Sequence, residues 1–203
     1  MAKLIPFITF CIFFAAATFA GCQKSATAPE TVQQKSVTIA EKFIYPIGDS
    51  KSYTQAKDNI DDWYNAQDFG ENNHLGEDWN KNSGGNTDCE QMVFAAANGM
   101  VVYAADAGPG WGKVVIISHT LKDGRNVQSL YGHLSEILDL QANDKVEMRN
   151  PVGRIGNANG RYPCHLHFEI RLDSCPAWNH PGPGYAGDQY GWVDPSDFID
   201  SLH

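Results

Sequence analysis

Apolar, β-branched and aromatic residues gather in four short stretches, at 100–104, 113–119, 126–133 and 164–172, each bounded by Gly, Asn, Asp or Pro. That spacing predicts strands of ordinary length separated by turns. Asp123-Gly124 falls between the apolar runs 114–118 and 127–131 and predicts a hairpin, because Gly accepts the positive φ of a tight turn. In the last stretch, period two puts His165, His167 and Glu169 on one face and Cys164, Leu166, Phe168 and Ile170 on the other. One face then reads as core and the other as a site, with Cys164 a buried core thiol. Only residues 53–64 carry a helical pattern, and Asp61 and Asp62 lie near its end, where the helix dipole disfavours them. The expected fold is mainly β, a compact antiparallel sheet.

The N-terminus reads differently. After Lys3, residues 4–21 form an apolar run of 18 residues in which threonine is the only polar type. Its length also meets the criterion for an uncleaved membrane anchor. Ala20 and Gly21 directly before Cys22 favour cleavage, since they resemble the lipobox of bacterial lipoproteins. That resemblance implies a signal peptide at 1–21 and a lipid on Cys22. With Gln23 following, it further implies the periplasmic face of the outer membrane in a Gram-negative cell. Residues 22–36 hold almost no large apolar side chain and are expected to be a flexible tether, leaving 37–203 as the folded domain.

Composition narrows the classes of function. The chain has 203 residues, 24 acidic against 15 basic side chains and a formal net charge of −9. No cluster of Lys and Arg exists to displace counterions, so nucleic acid is not an expected partner. Setting aside Cys11 and Cys22, three cysteines remain for the exported domain: Cys89, Cys164 and Cys175. If 164–171 is one strand, its ends are about 23 Å apart at ~3.3 Å per residue, and the chain back to Cys175 recovers at most ~14 Å. A Cys164–Cys175 bridge is then out of reach, and Cys89 with Cys175, both in predicted loops, is the expected disulfide, although a strand end displaced by two residues would reopen the alternative.

Three histidine motifs carry the candidate chemistry. His74 and Asp78 are both metal-ligand types, but on a straight strand they would lie ~13 Å apart, so the chain must bend between them, at Gly76. His165 and His167 share a strand face, ~7 Å apart. Tyr131 and His133 end the hairpin's second strand on one face, which nominates Tyr131 as a substrate contact. Glu169 is either an acceptor behind a ligand imidazole or a surface carboxylate. His119, His180 and His203 have no partner at ligand spacing and are expected at the surface or terminus.

Taken together and in order, His74-x-Gly76-x-Asp78, Tyr131-Gly132-His133-Leu134 and His165-Leu166-His167-Phe168-Glu169 resemble the M23 peptidases, the lysostaphin-like zinc endopeptidases. The resemblance covers about residues 70–171. It implies one Zn²⁺ per chain held by His74, Asp78 and His167, with His133 and His165 acting on the bound water and the transition state. It also implies the peptide part of bacterial peptidoglycan as substrate, cut by a monomeric enzyme held at the membrane by its lipid. Some relatives of the fold are non-catalytic modules that activate an amidase, the alternative function. Segments 157–163 and 181–192 are the expected walls of the groove, and Gly84-Gly85 marks a loop at 80–88.

Overall fold

The computed structural model describes residues 38–48 and 62–202, all within one compact unit. The N-terminal apolar run, Cys22, the tether and most of the 53–64 window lie outside the described residues. Among the described residues, no helix is long and apolar enough to cross a membrane.

The chain runs through β1 (Ile39–Ala40), β2 (Trp63–Gln67), β3 (Glu77–Lys81), β4 (Met92–Phe94), β5 (Gly99–Asp106) and β6 (Lys113–Leu121). It continues through β7 (Asn126–Ile137), β8 (Lys145–Val146), β9 (Pro151–Ile155), β10 (Leu166–Leu172), β11 (Trp192–Val193) and α1 (Pro195–Asp200). The main sheet has the order β2-β3-β10-β7-β6-β5-β8, while β9 pairs with β4 and β7, and β11 with β10. Every pairing is antiparallel except that of β1 with β6. The expected hairpin is β6–β7, turned at Gly124 with φ 86° and braced by Asp123, whose carboxylate accepts the Arg125 backbone N–H at 3.0 Å.

β10 is the strand that positions the site. It lies between β3 and β7, with His167 opposite Asp78 on one side and Gly132 on the other. Its apolar face, Leu166, Phe168 and Ile170, is fully buried with Trp79, Tyr131 and Val115 in the main core. Burying each such side chain stabilises the fold by roughly 1.5–3 kcal/mol. Its polar face is buried as well: Glu169 and Arg171 are both at 0% exposure, covered by the segment that follows β10.

Four sequence expectations are corrected. Trp63 and Tyr64, at the end of the supposed helix, belong to β2, which pairs with β3 and buries Trp63. Among the described residues the one α-helix is α1, a short one capped by Asp194, whose carboxylate accepts the Asp197 N–H at 3.0 Å. The disulfide is Cys89–Cys164, with Cα atoms 5.2 Å apart, and Cys175 is a free buried thiol. β10 begins at Leu166, and the 80–90 loop folds back over the residues just before it. Asn86 Oδ1 accepts the Cys164 N–H at 3.0 Å there, while Cys175 packs elsewhere, with Leu75 and Trp192.

The other two corrections concern polar residues. Tyr131 is fully buried and cannot touch a substrate; its hydroxyl accepts the Ala96 N–H at 2.8 Å. Period two fails here because a bulge intervenes: Tyr131 pairs with Val115 but Leu134 with Lys113, and His133 takes φ 60°. Tyr131 therefore turns into the core and His133 out of it. His119, expected at the surface, is also fully buried; Nδ1 meets Asn98 O and Nε2 meets Ser129 Oγ, each at 2.8 Å.

Candidate metal centre

His74 and Asp78 reach one point because the chain does not run straight between them. A 3₁₀ turn at Glu71–Asn73 delivers His74, which bridges to Tyr185, and Leu75 N–H is held by Gly184 O at 2.9 Å. The chain bends at 75–76, and the bend requires glycine at Gly76, where a Cβ would collide with the Phe168 carbonyl oxygen and Glu169 Cγ. Asp78 then enters β3 directly across from His167. The three donor atoms converge, with His74 Nε2 to His167 Nδ1 at 2.9 Å, His167 Nδ1 to Asp78 Oδ1 at 3.0 Å and His74 Nε2 to Asp78 Oδ1 at 3.3 Å.

Ligand bonds of ~2.0–2.1 Å in a tetrahedral site put neighbouring donors ~3.3 Å apart, so these separations fit one small divalent cation. The donor chemistry fits too. Glu169 Oε1 lies 2.9 Å from His167 Nε2 and can only accept, which places the ring proton on Nε2 and leaves the Nδ1 lone pair facing Asp78 and His74. Burial opposes the charge on Asp78, but hydrogen bonds from His167 and His74 hold its carboxyl well below the usual range. Burial also disfavours charge on His167, yet Asp78 and Glu169 push its pKa up to about 9, so the ion-free centre keeps a proton where a cation would sit. His74 stacks on Tyr185, ring centroids 4.8 Å apart, and its buried Nδ1 makes no protein hydrogen bond.

The remaining two histidines flank this triad. His133 Nδ1 lies 3.1 Å from Trp111 O, and His165 Nδ1 lies 2.9 Å from Pro163 O. A carbonyl can only accept, so both rings carry the proton on Nδ1 and present a bare Nε2. The two centroids are 4.7 Å apart, and His165 Nε2 is 3.6 Å from Asp78 Oδ2. Burial, reinforced by the neighbouring His167 and His165, lowers the His133 pKa to about 3, which keeps that ring neutral.

All five residues line, or lie directly behind, a cleft of about 560 Å³. Both segments expected as walls contribute to it, through Tyr162 and Pro163 on one side and Pro183 to Tyr185 on the other. Trp111 and Arg171 escaped the sequence reading, and Tyr185 entered it only within the 181–192 wall. Trp111 and Tyr185 share a signal that could have found them, an aromatic inside a Gly/Pro-rich loop. Trp111 lies over Gly132, where a Cβ would come within 3.1 Å of the ring, and its indole N–H donates to Gly182 O at 3.0 Å. Arg171 donates to Glu169 Oε2 at 2.6 Å and to the carbonyls of Ala177, His180 and Pro181, fixing the approach to the Tyr185 wall. His180, which no metal motif includes, contributes only that carbonyl.

The model of Peptidase family M23 matches residues 72–178, just over half of the chain. The chain belongs to peptidase family M23. The M23 match spans all five histidine and aspartate positions of the centre, but not Tyr185. Lipoprotein NlpD of Yersinia enterocolitica is 36% identical over 81 residues, which are 40% of this chain and 77% of that protein. Murein hydrolase activator NlpD of Escherichia coli is 33% identical over 81 residues, 40% of this chain and 20% of its own length. DD-carboxypeptidase/endopeptidase Mpg of Neisseria meningitidis is 32% identical over 84 residues, 41% of this chain and 18% of its own length. This M23 chain thus spans only about a fifth of the latter two. The catalytic domain of lysostaphin from Staphylococcus simulans is similar with a TM-score of 0.45 at 21% identity, over 62% of this chain and 78% of that one.

Proposed function

We propose that this chain is a zinc-dependent endopeptidase that hydrolyses peptide bonds in the cross-links or stem peptides of bacterial peptidoglycan. The observation that carries the reading is the complete set of groups at one cleft. Three donor atoms lie within 3.3 Å of one another, and two further imidazoles have Nε2 free. His74, Asp78 and His167 hold the ion, with Glu169 behind His167. When bound, zinc supplies a Lewis acid that brings the pKa of a coordinated water near neutrality and polarises the scissile carbonyl. His133 and His165 each accept a proton at Nε2 and, once protonated, donate from it to the developing oxyanion or the leaving amine. Trp111, Tyr162 and Tyr185 wall the cleft and limit the water that reaches it.

The same proposal covers the envelope. Residues 1–21 act as the signal peptide, Cys22 carries the lipid, 22–36 form the tether and 37–203 the monomeric domain, facing the periplasm from the outer membrane. The names of relatives, Lipoprotein NlpD and Outer membrane antigenic lipoprotein B, support this placement. Incubating the full-length protein with purified sacculi, with Zn²⁺ or with a chelator, tests the activity. Metal-dependent release of peptides, read by mass spectrometry, is the expected result. The E. coli relative's name favours a second reading, a cell-wall module that activates an amidase. Intact sacculi despite one bound Zn²⁺ per chain would move the assignment to it.

A further inference from the structure

Beside the cleft lies a second hollow of about 550 Å³, and the two share the walls Pro109, Gly110 and Tyr162, so the hollow is a side arm of the cleft. Of the residues lining this arm, Arg161 is the one charged side chain, and no ion pair to it is formed among the described residues. Its guanidinium lies over the Tyr162 ring at 6.0 Å, and that ring is in turn 5.4 Å from His133 and 5.9 Å from His165, centroid to centroid. A single aromatic ring thus separates a free cation from the two histidines of the cleft.

The turn that presents Arg161 is built for it. Ala158, Asn159 and Gly160 all have positive φ, a costly run for residues carrying a Cβ. It is held by Asn157, whose backbone oxygen accepts the N–H groups of Gly160, Arg161 and Tyr162 and whose side chain accepts Gly160 N–H at 2.9 Å. Asp106, the acidic neighbour of the turn, is engaged elsewhere: Oδ1 accepts Gly108 N–H at 2.8 Å and both oxygens face Asn159 Nδ2 at 3.4 Å. An arginine held over an aromatic face at cation–π distance keeps its planar fork of donors for a carboxylate, which it binds in bidentate fashion.

We propose that Arg161 anchors a free carboxylate of the bound peptide in this side arm, so that the site selects peptides bearing an uncapped carboxylate near the scissile bond. The inference rests on the peptidase reading of the cleft and adds its specificity. Two synthetic stem peptides that differ only in carrying a carboxylate or a carboxamide at one position test it on the full-length zinc-loaded protein. The expected result is a preference of about 10-fold or more in kcat/KM for the carboxylate, expressed mainly in KM. Arg161→Gln brings the ratio of the two near one, and Arg161→Lys restores part of it. Absence of preference in the unaltered protein, or an equal loss on both peptides in Arg161→Gln, overturns the assignment. If neither peptide is cleaved, the peptidase reading fails by itself, and calorimetric binding of the same pair decides the anchor. Tighter binding of the carboxylate, lost in Arg161→Gln, upholds it, and equal binding overturns it.

Discussion

Buried imidazole occurs at two places in this domain, and its partners separate a site from a core. At the cleft, His74 and His167 converge on a carboxylate with donor atoms turned toward one another, an arrangement that only a cation or a shared proton can hold together. In the interior, His119 Nδ1 donates to Asn98 O, its bare Nε2 accepts the Ser129 hydroxyl hydrogen, and the serine oxygen lies 2.9 Å from Tyr131 Oη. Every partner of His119 is neutral, its pKa is pushed down by burial to about 4, and its two ring nitrogens are both satisfied. Burial is the same in both places. A histidine cluster is chemically poised when its lone pairs are left facing one another, and structural when each has a neutral partner.

The contrast can be broken most severely at the cleft. His167→Ala removes one of three ligands and is expected to abolish zinc binding and lower hydrolysis by at least ~10³-fold, whereas His133→Ala keeps the metal and loses ~10²–10⁴-fold. Metal content by elemental analysis beside the sacculus assay checks both. Equal metal retention in the two variants would undo the division of roles. Glu169→Gln keeps the shape but changes the acceptor that fixes the His167 tautomer, and a 10–100-fold loss of zinc affinity is expected in a competition titration.

Smaller effects belong to the interior cluster. Ser129→Ala leaves His119 Nε2 and the Tyr131 hydroxyl each short of one partner and is expected to lower stability by about 1–3 kcal/mol in denaturant unfolding, with zinc affinity unchanged. The same cluster also acts through pH. A folded-state pKa near 4 against an ordinary 6.5 means that His119 favours the fold above pH 6.5 and that this contribution is lost as the pH falls from 6.5 toward 4. The unfolding midpoint of the unaltered protein should therefore fall more steeply across that window than that of His119→Gln.

Much of the sheet was legible in sequence because its strands obey period two and its hairpin carries Asp123-Gly124. The motif histidines were legible as a set because strand faces are local. What was not legible depends on where period two stops or on distant partners. The bulge after Tyr131 exchanged core and cleft between Tyr131 and His133, and nothing within 126–133 announces it. His119 has its partner two residues along the neighbouring strand, beyond Val127, and Cys89 meets Cys164 across 75 residues of sequence. The helical pattern at 53–64 ended in a strand because Trp63 found a place against β3, where tertiary burial outweighs local propensity.

The place of β10 has a consequence in time. The atoms it brings together belong to residues 89 and 93 positions apart in sequence, contacts of the long-range kind that form slowly. A chain emerging from its N-terminus exposes His74 and Asp78 well before His167 exists beside them, and the strand that completes the set must still insert between two others. An unfinished or partly threaded copy carries no assembled centre, so topology alone delays the centre until β10 is in place.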